Sequence, residues 1–68
     1  MLMTTEISFL RLNKVQSQTG LARSTIYKLM AEGDFPQPVK ITSKSSGWVS
    51  TEVDDWKQSR MKERKTVH

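Results

Sequence analysis

The stretch of residues 20–33 begins and ends with glycine, and it constrains the fold more than any other part of the chain. Glycine readily adopts the left-handed conformation that ends a helix, so a helix between the two glycines has room for about three turns. Within it, Ile26, Leu29 and Met30 repeat at the spacing of one helical face. The stretch predicts a short amphipathic helix over about residues 22–32.

A second short helix precedes this one. In residues 9–20, the positions that fall on one side of a helix are Leu12, Val15 and Thr19. Gly20 marks its end, so the helix has about two turns. Because only a tight turn around Gly20 separates the two helices, the sequence predicts a helix-turn-helix.

Two prolines end the helical part of the chain. Pro36 and Pro38 require extended backbone and cannot continue a helix. Alternating apolar and polar residues then predict strands near residues 39–42 and 47–50, joined by a serine-rich turn with Lys44 at its tip. The pattern is typical of a small β-hairpin.

A third helix follows the hairpin. Ser50 or Thr51 can cap it, and Thr51 with Asp54 matches a capping box. The residues expected on its inward face are Val53, Trp56 and either Arg60 or Met61. The whole order predicts a mainly α fold with a small β-hairpin, the winged helix-turn-helix of order α-α-β-β-α.

Length and composition set the bounds of the domain and its class. The 68 residues suffice for one domain, expected over residues 9–61 between a flexible N-terminus (1–8) and a basic C-terminal tail (62–68). The absence of cysteine excludes disulfides, and His68 has no partners for a metal site, so no metal or cofactor is expected. No apolar run approaches the ~20 residues of a membrane span, and the N-terminus lacks a secretory signal, so we expect a cytoplasmic protein.

The charge of the chain indicates a polyanionic partner. The formal net charge is +4, and residues 23–46 contain four Lys or Arg residues against two acidic ones. Such a balance favours nucleic acid first and an anionic membrane second.

Three stretches of the sequence resemble a known family. They are "FLRLNKV", "TGLARSTIYKLMAEGDFPQPVKI" and "GWVSTEVDDW", within residues 9–57. They resemble the AlpA-like prophage regulators, relatives of phage excisionases and of the MerR-type DNA-binding domain. The resemblance implies a sequence-specific binder of double-stranded DNA that regulates transcription, with the recognition helix in the major groove and the wing, residues 39–50, on the backbone or in the minor groove. An integrase or recombinase, or RNA polymerase, would be a further partner.

One position departs from the family pattern. Ala22 stands where the family usually has serine, and alanine caps a helix worse than serine by about 1 kcal/mol. Either the recognition helix starts later with Ser24 as its cap, or its first turn is held less firmly.

The recognition helix carries the side chains that would meet DNA. Arg23 can donate two hydrogen bonds to guanine O6 and N7, and Lys28 can reach a base or a phosphate. Ser24 and Thr25 can reach bases or phosphates, and the Thr25 methyl group can meet that of thymine. Tyr27 can donate to a phosphate or instead cover the wing as a structural ring. Arg23 has its own alternative, an ion pair with a nearby carboxylate at Glu32 or Asp34.

The predicted wing supplies contacts to the DNA backbone. Lys40 and Lys44 would follow the phosphates, and the expected secondary phosphate donors are Ser43, Ser45 and Ser46. Trp48 is expected to anchor the wing, with base stacking as the less favoured alternative.

Other functional classes remain open to different degrees. An excisionase that bends DNA for an integrase needs the same surface, and a small protein-interaction adaptor would use the basic tail and Tyr27. An enzyme is not expected, because adjacent Asp54 and Asp55 point apart on a helix and Ser24 has no activating base. Without a heptad helix we expect a monomer in solution, and association side by side on DNA is left open.

Overall fold

The computed structural model describes residues 7–64. Its elements in chain order are β1 (Phe9–Leu10), α1 (Leu12–Thr19), α2 (Arg23–Ala31), β2 (Val39–Thr42), β3 (Ser45–Val49) and α3 (Ser50–Glu63). The strands form an antiparallel sheet in the order β1-β3-β2. The predicted mainly α fold with a β-hairpin is confirmed, with one additional strand. Of the expected flexible terminus and basic tail, residues 1–6 and 65–68 lie outside the described part.

The core takes one fully buried side chain from each helix. Val15 of α1, Ile26 of α2 and Val53 of α3 are all 0 % exposed. The other buried apolar side chains belong to Leu10, Phe35 and Trp48. The predicted inward residues of α1 and α2 are therefore confirmed as the faces that meet in the core.

Strand β1 is an addition to the predicted fold, because the sequence analysis assigned no strand to Phe9 and Leu10. Phe9 pairs with Val49 and Leu10 with Trp48, so the hairpin gains a third strand. Just before β1, Ser8 and Ser50 exchange two hydrogen bonds, from Ser8 N to Ser50 Oγ at 2.9 Å and from Ser50 N to Ser8 O at 2.8 Å. A two-residue strand is too short to show a periodic pattern, so only its pairing reveals it.

The hairpin β2–β3 has its turn at residues 43–44, and β3 begins two residues earlier than predicted. Gly47 explains the difference, because it lies buried in the middle strand instead of in the turn. A Cβ atom added at Gly47 would lie 2.9 Å from Ile41 Cδ1 and 3.0 Å from the carbonyl oxygen of Leu10. Glycine therefore permits the close approach of all three strands.

Helix α3 begins at Ser50 with Val49 as its N-cap, and no side chain caps it. The predicted cap at Ser50 or Thr51 and the capping box with Asp54 are wrong, because the Ser50 hydroxyl accepts the amide of Ser8 instead. Met61 is 50 % exposed, so it is not an inward residue. No helix within residues 7–64 combines the length and the apolar character that a membrane crossing requires.

Candidate nucleic-acid interface

Helix α2 separates its structural face from its polar face. Ile26 is fully buried, and Leu29 and Met30 pack against the core. The exposed residues of the helix are Arg23, Ser24, Tyr27, Lys28 and Ala31, while Thr25 is half-buried. The structure therefore brings four of the predicted helix contacts together on the side that does not pack on the domain, while Thr25 lies at the edge of that side.

Arg23 lies at the first position of α2, and its guanidinium carbon is 5.8 Å from the centre of the Tyr27 ring. Within residues 7–64 the ion pairs are Lys57–Asp54 and Arg60–Glu63, so the alternative pairing of Arg23 with Glu32 or Asp34 is wrong. The aromatic ring supports the cation without neutralising it. Both side chains stay available to a ligand, since Tyr27 is 44 % exposed.

The start of α2 resolves the two alternatives left by Ala22. Ala22 is the N-cap with extended backbone, φ −74° and ψ 157°, and no side chain caps the helix. The alternative cap at Ser24 is wrong, because Ser24 already lies inside the helix. The first-turn amides thus lack a side-chain acceptor, and such amides attract anions.

The turn between α1 and α2 is fixed by Gly20 and Thr19. Gly20 has a φ of +75°, which side-chain-bearing residues rarely adopt. The Thr19 hydroxyl donates to the carbonyl of Val15 at 2.7 Å and accepts the amide of Leu21 at 3.3 Å. These bonds fix the point at which the chain enters α2.

The end of α2 is a Schellman cap. The amide of Asp34 donates to the carbonyl of Leu29 at 2.8 Å, and that of Gly33 to the carbonyl of Met30 at 3.1 Å. Gly33 has a φ of +77°, as this cap requires. The predicted left-handed stop is confirmed.

The wing presents its polar residues at the hairpin tip. Ser43 and Lys44 form the turn and are exposed, as are Lys40 and Ser46. The Ser45 hydroxyl lies 2.8 Å from the Thr42 hydroxyl, which also accepts the amide of Lys44 at 3.2 Å. Sequence reasoning missed Thr42, although a threonine two residues before a turn amide is a known local motif.

Trp48 anchors the wing. Its side chain is only 3 % exposed, and its indole nitrogen donates to the carbonyl of Pro36 at 2.9 Å. The alternative role as a base-stacking platform is therefore wrong, because a ring buried to this extent cannot meet a base.

Two further cations adjoin α1, and sequence reasoning did not select them. Arg11 and Lys14 are exposed and line a cleft of about 430 Å³ together with Phe9, Asn13 and Ser17. In helix-turn-helix proteins the first helix crosses the DNA backbone. The available signal was the charge of residues 1–22, where Arg11 and Lys14 outnumber the single acidic residue, Glu6.

The carboxylates of α3 do not form an acid/base pair. Asp54 lies 3.4 Å from the amino group of Lys57 in an exposed ion pair. Asp55 instead lines an open groove of about 790 Å³ beside Glu52 and Trp56. Among residues 7–64 no three potential metal-ligating side chains are grouped.

Comparison with known proteins agrees with this architecture. The family model of the prophage CP4-57 regulatory protein (AlpA) matches residues 8–61. The chain is 41 % identical over 61 residues to the uncharacterized protein ORF88 of Enterobacteria phage P4, covering 90 % of this chain and 69 % of that protein. It is 36 % identical over 62 residues to the DNA-binding transcriptional activator AlpA of Escherichia coli K12, covering 82 % of this chain and 89 % of that protein. The chain therefore belongs to the AlpA family of prophage regulatory proteins.

Proposed function

We propose that this protein binds double-stranded DNA at specific sequences and regulates transcription from a prophage-type promoter. The observation that carries the proposal is the exposed surface of α2, which presents Arg23, Lys28 and hydroxyl groups while Ile26 is buried in the core. The description of the Escherichia coli relative as a DNA-binding transcriptional activator supports it.

In the proposed complex, α2 lies in the major groove. Arg23 donates two hydrogen bonds to a guanine. Its contact with the Tyr27 ring already restricts the side chain before binding, so the side chain loses less conformational entropy when DNA binds. Ser24 and Thr25 contact neighbouring bases or phosphates at the same end of the helix. Lys28, one turn further on, reaches a base or a phosphate.

The wing contacts the flanking backbone or the minor groove in this complex. Lys40 and Lys44 pair with phosphates, and Ser43 donates from the turn. Ser45 contributes by fixing the turn through Thr42. The exposed Arg11 and Lys14 add backbone contacts from α1.

The number of phosphate contacts sets the salt dependence. If roughly four to six phosphates are neutralised, the logarithm of the affinity falls with the logarithm of salt concentration at a slope of about −4 to −5. An adaptor that recognises only another protein would not bind duplex DNA with this salt dependence.

The test is selection of bound duplexes from a random pool, followed by mapping the selected sequence in the source genome. We expect one short motif within a promoter region and the salt slope given above. Failure to enrich any motif, or affinity insensitive to salt, would falsify the proposal.

Footprinting of the mapped region then separates the two uses of this surface. A single protected operator at a promoter indicates a regulator, for which RNA polymerase is the further partner. Several phased sites beside an attachment core would instead indicate an excisionase acting with an integrase. A monomer in solution is proposed for both, and light scattering without DNA tests it.

A further inference from the structure

The loop that joins α2 to β2 connects the two proposed DNA-binding elements. We call residues 34–38 the linker loop. It contains Pro36 and Pro38, whose rings fix the backbone φ and remove two amide donors. The remaining conformational freedom of the linker loop depends on hydrogen bonds from neighbouring elements to its carbonyl groups.

Both tryptophans of the chain donate their indole N–H to this loop. Trp48 of β3 donates to the carbonyl of Pro36 at 2.9 Å, and Trp56 of α3 donates to the carbonyl of Asp34 at 2.6 Å. One bond thus connects the wing to the middle of the linker loop, and the other connects α3 to its start, directly after the cap of α2. Each acceptor lies in the backbone, so the bonds fix the path of the chain.

Aromatic packing supports the second of these bonds. The rings of Phe35 and Trp56 meet edge to face with their centres 4.9 Å apart, and Phe35 is only 4 % exposed. Arg60 covers the Trp56 ring at 5.0 Å and also donates to the Asp34 carbonyl at 3.4 Å. The Trp56 indole therefore has little freedom to leave its acceptor.

We infer that Trp48 and Trp56 are positioning residues that set the placement of the wing relative to the recognition helix. The inference rests on the proposed DNA-binding function and deepens it. Neither indole has to contact DNA, because each acts through the linker loop. Loss of the Trp48 donor should release the wing while α2, held by its own buried face, keeps its place.

The decisive variant removes a donor without changing the shape of the ring. A chain of this length is accessible to chemical synthesis, so Trp48 can be replaced by 3-benzothienylalanine, which has sulfur in place of the indole N–H. The probe is the duplex selected from the random pool, or a mixed-sequence duplex of the same length. Thermal unfolding identifies a temperature at which every variant is folded.

A double-mutant cycle separates positioning from general destabilisation. In the parent chain, Lys44→Ala should weaken binding roughly fivefold and reduce the salt slope by about 1. The Trp48 replacement should weaken binding by about five- to tenfold, because it releases Lys44 together with the other contacts of the wing. In that background Lys44→Ala should change binding less than about twofold, because the wing contact is already lost.

Arg23→Ala is the matched control, since its effect should be the same in both backgrounds. An undiminished Lys44→Ala effect in the Trp48 variant overturns the inference while leaving the proposed function intact. A parent chain without salt-dependent DNA binding overturns both. If the Trp48 variant fails to fold, 3-benzothienylalanine at Trp56, which keeps the bicyclic ring and loses the donor, enters the same cycle with the same criteria.

Discussion

Helix α2 and the wing both carry cations, yet they are held in place in different ways. Helix α2 is fixed by side-chain packing of the fully buried Ile26, which leaves the opposite face without a structural role. All four residues of β2 are exposed, so that strand depends on its pairing with β3, where Gly47 and Trp48 are buried. In α2, the proposed contacts and the packed residues lie on different faces of one helix. In the wing, the proposed contacts Lys40 and Lys44 lie in β2 and the turn, whereas the buried residues lie in β3.

The largest expected effect tests the exposed face of α2. Replacing both Arg23 and Lys28 by alanine should weaken DNA binding about 100-fold or more, because a bidentate base contact and a second cation are lost together. The free energy of unfolding should change by less than about 0.5 kcal/mol, as for exposed positions generally. Gel shift and urea unfolding measure the two quantities.

The matched control removes two cations from the exposed end of α3. Lys62→Ala with Arg64→Ala gives the same net charge and should weaken binding only modestly. Normal binding by the Arg23 and Lys28 variant would show that α2 is not the recognition helix.

The second prediction concerns the stability of the wing. Gly47→Ala should lower the free energy of unfolding by about 2 kcal/mol, because the new methyl group would lie 3.0 Å from the backbone oxygen of Leu10. Urea unfolding measures the change, with the neighbouring exposed Ser46→Ala as control. Equal midpoints for the two variants would show that the strands can separate at no cost.

The third prediction concerns the start of α2. Ala22→Ser should raise the free energy of unfolding by about 1 kcal/mol, because a serine hydroxyl can accept a first-turn amide that has no side-chain cap now. Ala31→Ser, at the other end of α2, should give no gain. Thermal unfolding of the two variants decides the point, and equal shifts would contradict the cap assignment.

The smallest effect is expected at the wing tip. Lys44→Ala should weaken binding roughly fivefold and equally for all sequences, since a phosphate contact carries no sequence information. Affinities for the selected duplex and for a scrambled duplex of the same length provide the measurement. A loss confined to the selected duplex would indicate that Lys44 reads a base.

The first two helices could be predicted from the sequence, because the features that define a helix are local in the chain. Gly20 and Gly33 end the helices that precede them, and both adopt the left-handed conformation that the pattern required. The spacing that selected Ile26, Leu29 and Met30 as the packed face is a property of one helix alone. The same spacing determined which residues of α2 remain exposed, and so it determined the candidate interface there.

Tertiary structure decided the features that depend on residues distant in the chain. Strand β1 exists because Phe9 and Leu10 meet Val49 and Trp48, and the Ser50 hydroxyl is taken by an amide 42 residues away. The sequence alone predicts that Gly47 belongs to a turn, and only the close approach of β1 shows why a glycine is needed within β3. The sequence by itself thus determined the helix-turn-helix and its polar face, through contacts within one or two turns of chain. Only the folded sheet decided where the wing begins and what holds it, because strand pairing joins segments whose order along the chain does not show that they meet.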